Sequence, residues 1–318
     1  VTALIATDLD RTMIFSRAAS GFSTALEERK NALEERLSSP SVLLGSPSVL
    51  PGSPSAVEEP VCVEMYDGAP LSYMTRGSVE ALTALAASTP VIPTTTRTRA
   101  QFERIDLPGG PFRHAVVSNG GRILRDGEND DAWRTALESR VAGTSATVEE
   151  LHADLRRRVD DSWVRSTRVA DDLFVYLVVD LDRQPTDFID EWRSWCTPRG
   201  WSVSQQGRKI YAMPDGVTKS AAVAHIRGRL VDDGTLDADS PVFAAGDGRL
   251  DADLLTYADA AIRPAHGELH DSGWTPPGLT VTAASGIEAG AEILAWFADR
   301  ARSHSSSLHN PDPALAEK

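Results

Sequence analysis

Thr2-Ala-Leu-Ile-Ala-Thr-Asp8-Leu-Asp10-Arg-Thr12 is an apolar run that stops abruptly at two carboxylates. A short continuous apolar stretch suits a central strand buried on both faces, and in open parallel sheets ligands bind where such strands end. Asp8 and Asp10 are therefore expected at the carboxyl edge of a sheet. There an ionised Asp can bind a hard cation, and it can also attack phosphorus as a nucleophile. A solvated acidic turn is the plain alternative for this stretch taken alone.

Three further stretches repeat the pattern of an element ending in chemistry. Val91-Ile-Pro-Thr-Thr95-Thr-Arg97 ends a strand in hydroxyls and a cation, which suits phosphate oxygens as well as a simple helix cap. In Met213-Pro-Asp-Gly-Val-Thr-Lys219 a turn opens a helix with a lysine in its first turn. That placement opposes the helix dipole unless an anion is near. Val242-Phe-Ala-Ala-Gly246-Asp247-Gly-Arg-Leu-Asp251 ends a strand in Gly-Asp, with a second Asp one helical turn later. Gly246 permits a tight turn, and Asp247 is placed to reach a metal.

Around these stretches, helices are expected near 77–87 and 218–230, with a closing amphipathic helix that puts Ile287, Ile293, Leu294 and Phe297 on one face, and strands near 115–117, 242–245, 260–262 and 279–282. Alternating strands and helices imply an α/β fold, a doubly wound parallel sheet. Between about 125 and 210 the character changes. Five of the seven tryptophans lie there, at 133, 163, 192, 195 and 201, with a strong strand over 173–180 and a helix over 186–195. We read this as an inserted α+β domain whose tryptophans build its core. The expected organisation is 1–124 as the first part of the core domain, 125–210 as the insertion, 211–302 as the rest of the core, and 303–318 as a disordered tail. A polar helix is expected near 25–37. The Pro/Ser-rich near-repeat over 38–57 cannot build a core and reads as a flexible insertion, able to bind a protein partner.

The net charge of −14 argues against nucleic acid, whose phosphates need dense Lys and Arg. No apolar run is long enough to span a bilayer, and the two cysteines form no C-x-x-C pattern. A cytoplasmic protein acting on a small molecule is the expectation. His266-Gly-Glu-Leu-His270 has Gly where a zinc-protease helix needs Glu, and is expected to be a loop.

Taken in order, Asp-x-Asp-x-Thr, a strand-end Thr, Lys and Gly-Asp-x-x-x-Asp resemble the motifs of the haloacid-dehalogenase (HAD) phosphohydrolases. The position of the inserted domain, together with 91–98 and Ser118-Asn-Gly-Gly121, resembles the sucrose-phosphate phosphatase, mannosyl-3-phosphoglycerate phosphatase and Cof-type group. Two departures stand out: Thr96 replaces a common Gly, and Leu250 replaces a frequent Asn. The resemblance implies a HAD Rossmann-like core with an α/β cap, and a Mg²⁺-dependent phosphatase of a small phosphomonoester such as a sugar phosphate. It implies Asp8 as nucleophile, Asp10 as acid and base, and Thr95 and Lys219 as phosphate-binding groups. The metal set it implies is Asp8, the Asp10 backbone carbonyl, Asp247 and, in support, Asp251, with Thr12 fixing the turn. Arg97, Asn119, Arg208 and Lys209 are candidate substrate contacts. A phosphotransferase or mutase, or a non-catalytic partner-binding protein, are the alternatives.

Overall fold

The computed structural model describes residues 3–21 and 60–309. The expected helix near 25–37 and the Pro/Ser-rich insertion lie outside the described residues.

An eight-stranded sheet organises the molecule. From edge to edge its strands are Thr280–Val281, Ala260–Arg263, Val242–Ala245, Leu4–Asp8, Val91–Thr94, His114–Val117, Arg122–Arg125 and Glu128–Asn129. Pairing is parallel from Thr280–Val281 through His114–Val117, and antiparallel for the last two strands. The Leu4–Asp8 strand is central, buried along its whole length and paired on both sides. Side chains of a strand alternate between faces, and the two faces are both apolar here. Ile5, Val91, Phe243 and Ala245 pack with Ile293, Leu294 and Phe297 of the last helix. Leu4, Ala6, Ile92, Val242 and Ala244 pack with Ala222, Val223 and Ile226 of helix Lys219–Asp232.

A three-stranded antiparallel sheet follows the first motif, in the order Phe15–Ser16, Ala69–Met74, Val61–Tyr66. The inserted unit holds helices Asp131–Val141, Val148–Arg158 and Phe188–Cys196. Its antiparallel sheet has the order Trp201–Gln206, Lys209–Pro214, Phe174–Val179, Val164–Ala170. One face of this sheet (Val175, Leu177, Val203, Ile210, Ala212) is buried in a core with Leu151, Leu155, Phe188 and Trp192. Four of the five tryptophans of this region are buried there, and Trp195 stacks on Trp192 at 5.0 Å.

Two boundaries differ from expectation. Lys209–Pro214 pairs with Trp201–Gln206 along its full length, so the return to the core comes after Pro214 and not at 210. The last helix, Ile287–His309, runs past Ser303, where a tail was expected. Ser and His are only moderately unfavourable in a helix, and one already anchored by Ile293, Leu294 and Phe297 can carry several such residues onward.

Candidate active site

Asp8 ends the central strand and is 5% exposed. Lys219, fully buried, donates from Nζ to Asp8 Oδ1 at 2.5 Å and to Asp251 Oδ1 at 2.5 Å. The cation can sit there because Thr218 caps its helix, accepting from Ala221 N at 3.3 Å, while Asp8 and Asp251 supply the anions that the helix dipole calls for. The other oxygen of Asp251 accepts from the amides of Asp247 (3.1 Å) and Gly248 (2.8 Å). Gly246 is required beside it, since any Cβ there would strike the Asp251 side chain. Thr12 Oγ1 donates to Asp8 Oδ2 at 3.2 Å, a bond that orients the Asp8 carboxylate.

Oxygens of Asp8, Asp247 and Asp251 all lie within 4.8 Å of one another, and all three residues are buried. These three carboxylates face one ammonium and the edge of Arg11, whose Nε is 3.7 Å from Asp247 Oδ2. Negative charge is in excess. Burial, reinforced by Asp251, pushes the Asp8 pKa up to about 7 although Lys219 pulls the other way. Burial and Asp8 likewise raise Asp247 well above the usual carboxylate range. A compact, oxygen-only, over-negative cluster fits a hard divalent cation such as Mg²⁺.

Asp10 points elsewhere. The Arg97 guanidinium clamps it with two bonds, Nε to Oδ2 at 2.7 Å and Nη2 to Oδ1 at 2.8 Å, and donates from Nη1 to Glu64 Oε1 at 2.7 Å. Desolvation in the half-closed site would raise the Asp10 pKa, but the charge and hydrogen bonds of Arg97, joined by Lys209 and Lys219, together outweigh it and leave Asp10 below the usual range. Glu64, buried on the small sheet, is also lowered. Burial opposes this, and the bonds from Arg97 and from Ser72 Oγ (2.6 Å) prevail. Nothing in the local sequence marked Glu64. A buried acid in an alternating strand was the one available signal.

The turn carrying Asp10 is held from below. Arg11 takes φ 64°, and His266 Nε2 donates to the Arg11 carbonyl (2.7 Å) while Nδ1 accepts from Gly286 N (3.1 Å). His266 thus lies in a bend, with a bracing role that the sequence did not suggest, while Glu268–Asp271, overlapping the stretch expected to be a loop, forms a short helix.

Thr95 is buried one residue past the strand whose Thr94 pairs with Asp8. Its Oγ1 accepts from Arg97 N (3.1 Å), and its carbonyl accepts from Asn119 N (2.9 Å). Asn119 Nδ2 donates to the Val217 carbonyl at 3.0 Å, so this residue ties the Thr95 turn to the Lys219 turn. The fit needs Gly120, with φ 97° and no room for a Cβ against the Thr218 carbonyl.

The inserted sheet roofs the site with its polar face. Tyr176, Ser204, Gln206, Lys209 and Tyr211 share that face by strand alternation and register. Lys209 lies near enough to help hold Asp10 down, and it and Thr96 oppose the upward push of burial on Tyr211. Arg208, one residue earlier, is exposed at the hairpin turn. Glu268 latches roof to core, accepting from Ser204 Oγ (2.6 Å) and Arg249 N (3.0 Å).

No family model matches the sequence, and no curated protein matches it. Solved structures do match. Sucrose-phosphatase from Synechocystis, in complex with sucrose and phosphate, is 14% identical with a TM-score of 0.55, covering 93% of this chain and 98% of its own. A HAD subclass IIB sugar phosphatase is 11% identical with a TM-score of 0.52, covering 93% and 99%. The C-terminal domain of a trehalose-6-phosphate phosphatase from C. albicans is 11% identical with a TM-score of 0.50, covering 93% and 92%. The chain has the fold of these phosphatases, a mostly parallel Rossmann-like core with a separate antiparallel sheet over it. Among the described residues no helix is long and apolar enough to cross a membrane.

Proposed function

We propose that the protein is a Mg²⁺-dependent phosphatase of a small phosphomonoester, a sugar phosphate by preference, working through an aspartyl-phosphate on Asp8. The observation that carries this reading is the buried Asp8 carboxylate, hydrogen-bonded to Lys219 and beside Asp247 and Asp251 at the end of the central strand. The fold shared with phosphatases of sugar phosphates supports the substrate class.

An Asp8 oxygen attacks phosphorus, and the bond to the leaving oxygen breaks as that oxygen takes a proton from Asp10. The dianionic ester opposes Arg97 at Asp10 and so favours the protonated form this step needs. Asp10 then takes a proton from water, which displaces Asp8 and frees inorganic phosphate. Lys219 and Thr95 stabilise charge on the phosphoryl oxygens, where preorganised donors are most effective. Asp8, the Asp10 carbonyl and Asp247 would hold Mg²⁺, with Asp251 fixing the Asp247 turn; the ion offsets repulsion between carboxylate and ester. The polar roof face, with Lys209, Tyr211 and Tyr176, contacts the leaving group.

The test is phosphate release from a panel of sugar and glycerate phosphates, with Mg²⁺ and with EDTA. Turnover should require Mg²⁺, and Asp8→Asn should lose about a thousandfold or more, as loss of a nucleophile does. An Asp8→Asn protein as active as wild type would sink the mechanism.

A further inference from the structure

We propose that Glu64, seated by Ser72, is a positioning residue: it fixes the plane of the Arg97 guanidinium so that Arg97 presents Asp10 to the leaving group in one orientation. This rests on the phosphatase reading for its kinetic consequence and on geometry alone for its structural one.

Asp10 is 42% exposed at its side chain, and Arg97 supplies its only side-chain hydrogen bonds among the described residues. A short carboxylate at an open edge would otherwise exchange rotamers freely. The two-pronged clamp removes that freedom only if the guanidinium is itself immobile, because its fork is planar and directional. Arg97 is fixed at both ends. Its amide donates to Thr95 Oγ1 and its carbonyl accepts from Ser118 N at 2.7 Å, while Nη1 is held by Glu64. Glu64 has no exposed side-chain surface, and every polar contact it makes is committed. Oε1 accepts from Arg97 and from Arg104 Nη2 at 3.2 Å, and Oε2 accepts from Ser72 Oγ.

A buried ion pair is a poor stabiliser compared with apolar residues of the same size. Burying a carboxylate to no further purpose would therefore be a costly way to attach the hairpin Val61–Tyr66 and Ala69–Met74. Its placement behind the residue that grips Asp10 gives the cost a function. Through Glu64 and Ser72 the small sheet becomes part of the reaction centre and is no longer only a flank to it.

The test compares two esters with Mg²⁺ present: p-nitrophenyl phosphate, whose leaving group needs little protonation, and glucose 6-phosphate, whose alkoxide needs much. Glu64→Gln keeps the volume and an acceptor for Arg97. It should lose about 10- to 100-fold in kcat on the alkyl ester with KM little changed, yet stay within about 3-fold on the aryl ester. Ser72→Ala should move the same way by about 3- to 10-fold, and it carries the test should Glu64→Gln fail to fold. Equal losses on both esters, or none on either, would overturn the proposal. If glucose 6-phosphate is not hydrolysed, the best alkyl ester of the sugar and glycerate phosphate panel replaces it. If wild type hydrolyses neither p-nitrophenyl phosphate nor any ester of that panel, the phosphatase reading fails. The positioning claim is then decided by the crystal structure of Glu64→Gln, where an Asp10 side chain still clamped in its wild-type rotamer refutes it.

Discussion

Two clusters of charge lie side by side at the carboxyl end of the central sheet, and they are balanced in opposite ways. Around Lys219, three buried carboxylates share one ammonium and a distant edge of Arg11. Around Arg97, two carboxylates share one guanidinium that reaches both with good geometry, and Arg104 adds a second cation. Burial, reinforced by charge excess, raises the pKa of Asp8 and Asp247, whereas opposite charge and hydrogen bonds overcome burial to lower that of Asp10 and Glu64. The difference separates two tasks. An over-negative cluster is poised to accept a cation, and a neutralised one is a fixture that holds a side chain still.

The largest effect is expected when the over-negative cluster loses its cation. Lys219→Met should destabilise the metal-free protein by about 3–5 kcal/mol in denaturant titrations, since it leaves buried carboxylates without a partner. A loss under about 1 kcal/mol would mean that protonation of Asp8 or Asp247 already relieves the excess.

Adding a cation should do the reverse. Mg²⁺ at a hundred times its dissociation constant should stabilise the wild type by about 2.7 kcal/mol, read as a rise in Tm. Asp247→Asn should abolish most of that rise. Glu64→Gln should keep most of it, because the Arg97 cluster contributes only the Asp10 backbone carbonyl to the proposed ion site and none of its side chains. Equal loss in both variants would merge the two clusters into one unit.

The smallest effect comes from the other end of the sheet and serves as a control. Burial, with Arg113 beside it, pushes the His114 pKa down to about 4. The unfolded chain then binds the proton first, so His114 contributes stability in full above pH ~6.5, and this is lost as pH falls toward 4. His114→Gln should flatten the Tm profile across that window by a few degrees, leaving phosphate release at neutral pH unchanged. An unaltered profile would assign the acid sensitivity to the site instead.

How far the site was legible follows from range. Asp8, Asp247 and Asp251 each sit within a few residues of a short apolar strand, so the local pattern of strand followed by acid marks them. Lys219 is marked by standing in the first turn of a helix, against its dipole. Lys209 and Arg208 are neighbours that the sequence could not tell apart. Strand pairing turns one toward Asp10 and leaves the other exposed, and a single register step would exchange them.

Periodicity and contacts along the chain were enough to read the α/β class, the main core strands and helices, and the acids at the strand ends, but not the small sheet of Phe15–Ser16, Val61–Tyr66 and Ala69–Met74. Only the tertiary structure decided which partner each charge would take. Arg97 meets Glu64, Asp10 is turned from Asp8 toward Arg97, Ser204 meets Glu268, and His266 braces Arg11. Those pairings join residues far apart in sequence. The physical reason is that a buried charge must find an opposite charge or a hydrogen bond wherever the packed chain brings one, and local sequence carries no record of that meeting.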